Sequence, residues 1–220
     1  MIFESQIIMK YSKVKFLTFF AIICSIGLAP INDVSAENTV TATITVGTDP
    51  TGMEFDSANE RMYVANQDDD TVSVIATATN TVTATIAVGG SPYGMAFDSA
   101  NERMYVANQD DDTVSVIATA TNTVIATISL VASGGDKPEA IAFDSTNNRV
   151  YVVNSVSGNV SVINTATNVV DATITVGDAP FAIAFDSAND RMYVANWTSD
   201  NVSVIATATN TVIATIAVGE

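Results

Sequence analysis

Histidine is absent from the 220 residues, cysteine occurs once, at Cys24, and lysine and arginine together number eight against 24 acidic residues. Without histidine there is no imidazole general base, no Ser-His or Cys-His nucleophile system and no His-containing zinc site. One cysteine makes no intrachain disulfide, so stability has to come from packing. A net charge of −16 with so few cations excludes nucleic acid as a partner, because phosphate contacts need clustered Lys and Arg. Such a surface also repels anionic lipid heads, favours solubility and attracts cations. The apolar run Phe16–Leu28, FLTFFAIICSIGL, has 13 residues, short of the ~20 that span a bilayer as a helix.

That run belongs to a leader. Lys10, Lys13 and Lys15 precede it, and Val34-Ser35-Ala36 follows as a small-residue exit, the order of a secretory signal peptide over residues 1–36. An uncleaved membrane anchor is the alternative. Met9, followed by Lys10, is a more natural start than Met1, and Ile23 stands before Cys24 where a lipid-attachment site takes a small residue. Cleavage after Ala36 leaves 184 residues without cysteine, five basic against 22 acidic, net −17. The expectation is one secreted or cell-surface domain with no membrane span, able to bury about 70% of its unfolded surface.

What fills that domain is repetition. Phe55 to Val82 reads FDSANERMYVANQDDDTVSVIATATNTV, and Phe97 to Val124 repeats it letter for letter. Looser copies start at Phe143 and Phe185, so Tyr63, Tyr105, Tyr151 and Tyr193 are spaced by 42, 46 and 42 residues. A period in the range of about 40–45 residues marks an array of supersecondary units. Within the first copy, turn-rich breaks separate Gly52–Asp56, Arg61–Asn66, Thr71–Ala76 and Thr81–Val88. Period-2 alternation of Val, Ile and Ala with Thr and Ser predicts four short strands. Four-stranded antiparallel units in series are blades of a β-propeller, an all-β fold. The blades fall at about 48–89, 90–131, 132–177 and 178–220, and Asn38–Val46, NTVTATITV, is a spare copy of a fourth strand.

The run Arg-Met-Tyr-Val-Ala-Asn, then Val-Ser-Val-Ile, then Ala-Thr-Ile-Ala-Val-Gly resembles the YVTN β-propeller repeat of archaeal surface-layer and bacterial secreted proteins, from about Glu37 to Glu220. The resemblance implies a propeller, usually of seven blades. Four repeats plus one strand leave open a closed four-blade ring, an open arc, or two chains combined. An open arc exposes blade faces and sheet edges, which invites self-association.

In a four-stranded meander the first and third loops share one end of the blade, and the second loop and the link to the next blade share the other. The first end is nearly constant (DSANE, DSANE, DSTNN, DSAND, and TATN throughout), whereas the second diverges. Binding residues sit preferentially on loops of a rigid scaffold, so the divergent end is where a ligand site is expected. Its asymmetric residues are Tyr93, Phe181 and Trp197, Lys137 in the one length insertion, and Glu54, which replaces Ala96, Ala142 and Ala184 and is expected to face the channel. An aromatic mouth with a few polar groups suits a glycan or peptide. The acids Asp56, Asp98, Asp144 and Asp186 each precede an Arg by five residues, a repeated feature read as turn closure. Asp68, Asp69 and Asp70, with Asp110, Asp111 and Asp112, form two acidic tips that weakly suggest calcium. Asn159, Asn196 and Asn201 lie in glycosylation sequons, with a sugar sterically easy at Asn159 and Asn201.

These readings favour a non-catalytic binding or scaffold module whose partner is a cell-envelope protein or glycan, with no cofactor beyond weak calcium. The alternative is a propeller hydrolase or lactonase-type enzyme working through carboxylates such as Glu54.

Overall fold

The computed structural model describes residues 40–219. The leader, Cys24 and the first two residues of the spare strand lie outside that range. The described residues form sixteen strands in four antiparallel sheets, each a meander in chain order. The first blade holds β1 (Pro50–Asp56), β2 (Arg61–Asn66), β3 (Thr71–Ala76) and β4 (Thr81–Ala87). The second holds β5 (Pro92–Asp98), β6 (Arg103–Asn108), β7 (Thr113–Ala118) and β8 (Thr123–Ser129). The third holds β9 (Pro138–Asp144), β10 (Arg149–Asn154), β11 (Asn159–Asn164) and β12 (Val169–Thr175). The fourth holds β13 (Pro180–Asp186), β14 (Arg191–Asn196), β15 (Asn201–Ala206) and β16 (Thr211–Ala217). This is a β-propeller architecture, as the repeat predicts.

The turns explain why the strands stop where they do. Asp56 Oδ1 accepts the N–H groups of Ala58 (2.9 Å) and Asn59 (3.1 Å), and its Oδ2 accepts from Asn59 Nδ2 (2.9 Å). The same turn recurs at Asp98, Asp144 and Asp186. The last turn residue is left-handed each time, for example Glu60 (φ 53°) and Asn80 (φ 54°), a conformation that Asn and Asp tolerate better than most residues.

Alternation along each strand gives every blade two apolar faces, and the core lies between blades. Tyr63, Val72 and Val74 of the first blade pack on Met95, Phe97 and Met104 of the second. Tyr105, Val114 and Val116 pack on Ile141, Val150 and Val152. Tyr151, Val160 and Val162 pack on Met192, Val194 and Ile205. Burying one such side chain contributes about 1.5–3 kcal/mol, so each blade is held chiefly by its neighbours.

A polar latch crosses each interface at the constant end. Tyr63 Oη hydrogen-bonds the Asn122 side-chain amide at 2.7 Å, while Arg61 Nη1 donates to Thr119 O (3.1 Å) and Asn59 Nδ2 to Thr119 Oγ1 (3.3 Å). Tyr105, Arg103 and Asn101 repeat it against Asn168 and Thr165, and Tyr151 and Asn147 against Asn210 and Thr207. The Asp of each Asp–Arg couple therefore closes its turn as expected, but Arg61 and Arg103 serve the next blade instead of pairing with that Asp. Among the described residues the one ion pair is Lys137–Asp110, at 3.2 Å.

The arc does not close. Inner-strand contacts run from β1 to β5, β9 and β13, and no comparable contact joins β13 back to β1 among the described residues. The spare strand is a correction to the sequence reading, since residues 40–46 form no strand. A fourth strand is zipped to the third strand of its own blade, as β4 is to β3. Among the described residues no third strand precedes residues 40–46, so nothing supplies that ladder.

Candidate site at the divergent mouth

Each inner strand is preceded by a strained residue before its opening proline. Asp49, Ser91, Lys137 and Ala179, which precede Pro50, Pro92, Pro138 and Pro180, have φ of 50°, 53°, 55° and 47°. Left-handed backbone is unfavourable for a residue with a Cβ, and the arrangement is held by hydrogen bonds. The carbonyls of these four residues accept N–H groups from the second loops, at Gln67 (2.9 Å), Gln109 (3.0 Å), Ser155 (2.9 Å) and Trp197 (3.0 Å). The residue that opens each second loop is thereby pinned beside the start of its own inner strand.

Two sets of four positions result. The inner strands contribute Thr51, Tyr93, Glu139 and Phe181, and the second loops contribute Gln67, Gln109, Ser155 and Trp197. Close approach of the inner strands needs glycine. A Cβ on Gly52 would overlap the Tyr93 carbonyl, and one on Gly94 would overlap that of Glu139.

Six of the eight positions form an aromatic trio and a polar trio. Tyr93 and Phe181 meet edge to face with ring centroids 6.3 Å apart, and Phe181 and Trp197 do so at 6.5 Å, both within the favourable range for aromatic pairs. Phe181 is 45% exposed and Trp197 76% exposed, so the trio forms an open platform. Beside it, Glu139 Oε2 accepts from Gln109 Nε2 (2.5 Å) and Glu139 Oε1 from Ser155 Oγ (3.1 Å). A second Ser155 Oγ bond, to Lys137 O (3.1 Å), ties this group to the link.

Three of the five residues expected at a binding site, Tyr93, Phe181 and Trp197, are thus brought into one cluster. Lys137 contributes its backbone to the polar trio, while its ammonium is spent on Asp110. That contact and a hydrogen bond to Ser91 hold the Asp110 carboxyl below its ordinary pKa. Glu54 stands apart from the cluster. Strand alternation places it on the side of β1 that faces the second blade, where its counterpart Ala96 packs against the third, not in the channel. Burial raises its carboxyl above the ordinary value because a charge is disfavoured in low dielectric.

The acidic tips have structural duties. Asp69 accepts the Thr48 N–H (2.7 Å) and Asp111 that of Gly90 (2.8 Å). Ser157 and Ser199 do the same for Asp136 and Asp178 in the later blades. Asp70 takes the Ser91 N–H and Asp112 that of Lys137, both at 2.9 Å. Among the described residues no group of three or more acidic, His or Cys side chains is placed to hold a metal ion.

The sequon asparagines hold second loops together. Asn196 is buried and donates to Asn201 Oδ1 (2.7 Å) and Ser203 Oγ (2.9 Å). Asn159 is also buried and donates to Gly134 O (2.9 Å), and Asn201 donates to Ser199 O (2.9 Å). Asn159 is thus buried with its amide nitrogen engaged, where easy access is expected, while Asn201 is part-buried with its amide nitrogen bonded.

Glu139, Gln109 and Ser155 escaped the sequence reading. The signal was there: positions 51, 93, 139 and 181 form one column once the insertion before Pro138 is allowed for, and all four differ.

Four repeated antiparallel sheets with their variable loops gathered at one end define a β-propeller repeat protein. A family model described as a YNCE-like beta-propeller matches residues 37–134, and no curated protein matches the chain. A solved hydrazine synthase chain of Kuenenia stuttgartiensis superposes with a TM-score of 0.71 at 22% identity, covering 83% of this chain and 53% of that one. The chain thus spans about half the length of that solved protein, and the likeness is one of fold.

Proposed function

We propose that this chain is a non-catalytic binding module of the cell exterior that presents a glycan-binding platform at its divergent mouth. The carrying observation is the Tyr93–Phe181–Trp197 cluster set against the Gln109–Glu139–Ser155 group. Sugar rings offer apolar C–H faces that cover aromatic side chains, and hydroxyls that pair with carboxylate, amide and hydroxyl groups. A few polar groups around an apolar surface are the usual composition of a ligand site. The leader-like residues 1–36, the acidity and the resemblance to YVTN repeats of surface-layer and secreted proteins support an exterior location. Absence of histidine from the sequence supports a non-catalytic role.

The test is a screen of the purified protein on an oligosaccharide and cell-envelope peptide panel, with and without calcium. Binding to oligosaccharides that weakens at least ~10-fold in Trp197→Ala supports the reading. Binding confined to peptides, or unchanged by Trp197→Ala and Tyr93→Ala, contradicts it. One observation favours the carboxylate-enzyme reading, the raised pKa of Glu54. Turnover in a hydrolase and lactonase screen that Glu54→Gln abolishes would establish that reading in place of the first.

A further inference from the structure

The interface that repeats three times within the chain is left half-made at both ends of the arc, and the halves are complementary. On the fourth blade, Tyr193 is only part-buried where Tyr63, Tyr105 and Tyr151 are wholly buried. Asn189 Nδ2 bonds only Asp186 of its own turn, whereas its three counterparts also reach a threonine of the next blade. On the first blade the opposite half is free. Thr77 is exposed, although Thr119, Thr165 and Thr207 are each 0% exposed beneath their latches.

The apolar surfaces follow the same division. Met53 and Phe55 on the first blade are 60% and 43% exposed, against 7% and 9% for Met95 and Phe97 one blade later. Ile216 on the fourth blade is 48% exposed, against 6% for Ile86, Ile128 and Ile174. Apolar faces of this kind are what partner subunits cover.

We propose that two copies of this chain dock head to tail. The free face of the fourth blade in each copy covers the free face of the first blade in the other, giving a ring of eight blades. Tyr193, Arg191 and Asn189 of one copy take Asn80 and Thr77 of its partner, repeating the internal latch. The contact joins two different surfaces, so it closes as a ring only when the blade-to-blade rotation permits and otherwise grows into a filament. The first blade's face is partly lined by residues 44–47, whose Ile44 and Val46 are half-buried where a preceding fourth strand would pack, beside a groove of about 380 Å³ bounded by Asn66, Ser73 and Thr85. Docking replaces this unpaired segment with the laddered β16 of the other copy.

Two variants test the pairing, each adding a charge on an exposed outer face. Ala195 is exposed, where Ala65, Ala107 and Val153 are wholly buried at internal interfaces. Light scattering of the wild-type protein should give twice the chain mass, without growth as concentration rises. Ala195→Arg and Met53→Arg, each checked for an unchanged melting profile at low concentration, should each weaken the dimer at least ~100-fold, since each buries an unpaired charge. Mixing the two variants should restore a particle of two chains, because one of the two junctions then joins unaltered faces. A chain mass at every concentration, a filament, or a dimer that survives either variant would overturn the proposal.

Discussion

The two ends of the blades are built from the same strands and put to different uses. At the constant end the same few side chains recur in each copy, and at internal interfaces each is engaged. Asp56 and its counterparts cap turns, and the Arg, Tyr and Asn latches bind blade to blade. At the divergent end the backbone recurs just as faithfully, down to the left-handed residue before each proline and its hydrogen bond to the second loop. There, however, the side chains held in place differ at each repeat. The scaffold's symmetry sets where the mouth residues stand, and apart from the insertion before Pro138 its asymmetry lies in what they are.

The comparison is broken most severely by removing a latch from inside the arc. Tyr105→Ala deletes a wholly buried ring and its bond to Asn168 and should cost about 3–5 kcal/mol in urea unfolding. Tyr93→Ala at the mouth should cost less than a third of that. Gly94→Ala forces a Cβ into the Glu139 carbonyl and should cost about 1–3 kcal/mol as an overpacking change. It should also weaken ligand binding, because it moves the strand that carries Tyr93.

Alkali separates the ends in a different way. Burial pushes the Tyr151 hydroxyl up to about 12 from an ordinary 10, and Tyr63 and Tyr105 shift in the same direction. The folded chain then holds these phenol protons more tightly than the unfolded chain does. The contribution of Tyr151 is complete below pH 10 and is lost as pH rises through about 12. The urea midpoint should fall over that window, and Tyr151→Phe should flatten the fall. The smallest effect is expected at Ala179, where glycine removes the left-handed penalty and should stabilise the chain by up to about 1 kcal/mol. A gain there with unaltered binding would show that the strain itself is not needed to present Trp197.

Much of the fold was legible because Val, Thr and Ile alternate between Asx turns with little ambiguity, and the sixteen strands lie close to where that pattern puts them. The latch was not legible, because the spacing of Asp56 and Arg61 suggests a local pair, and only the packing of the next blade shows where the guanidinium goes. Residues 40–46 have the composition of a fourth strand but lack the ladder that makes one, and composition does not reveal a missing neighbour. At the mouth, the aromatics stood out as exceptions to the repeat. Glu139 did not, because the insertion before Pro138 shifts it out of the 42-residue register.

The most direct test of a constant end that builds and a variable end that binds is one paired measurement on Trp197→Ala. Its melting profile and its affinity for an oligosaccharide selected on the wild-type protein are read side by side. The account predicts a stability within ~0.5 kcal/mol of wild type, since Trp197 is 76% exposed, and an affinity at least ~10-fold weaker. Undiminished affinity, or a loss of affinity that tracks a loss of stability, would contradict it.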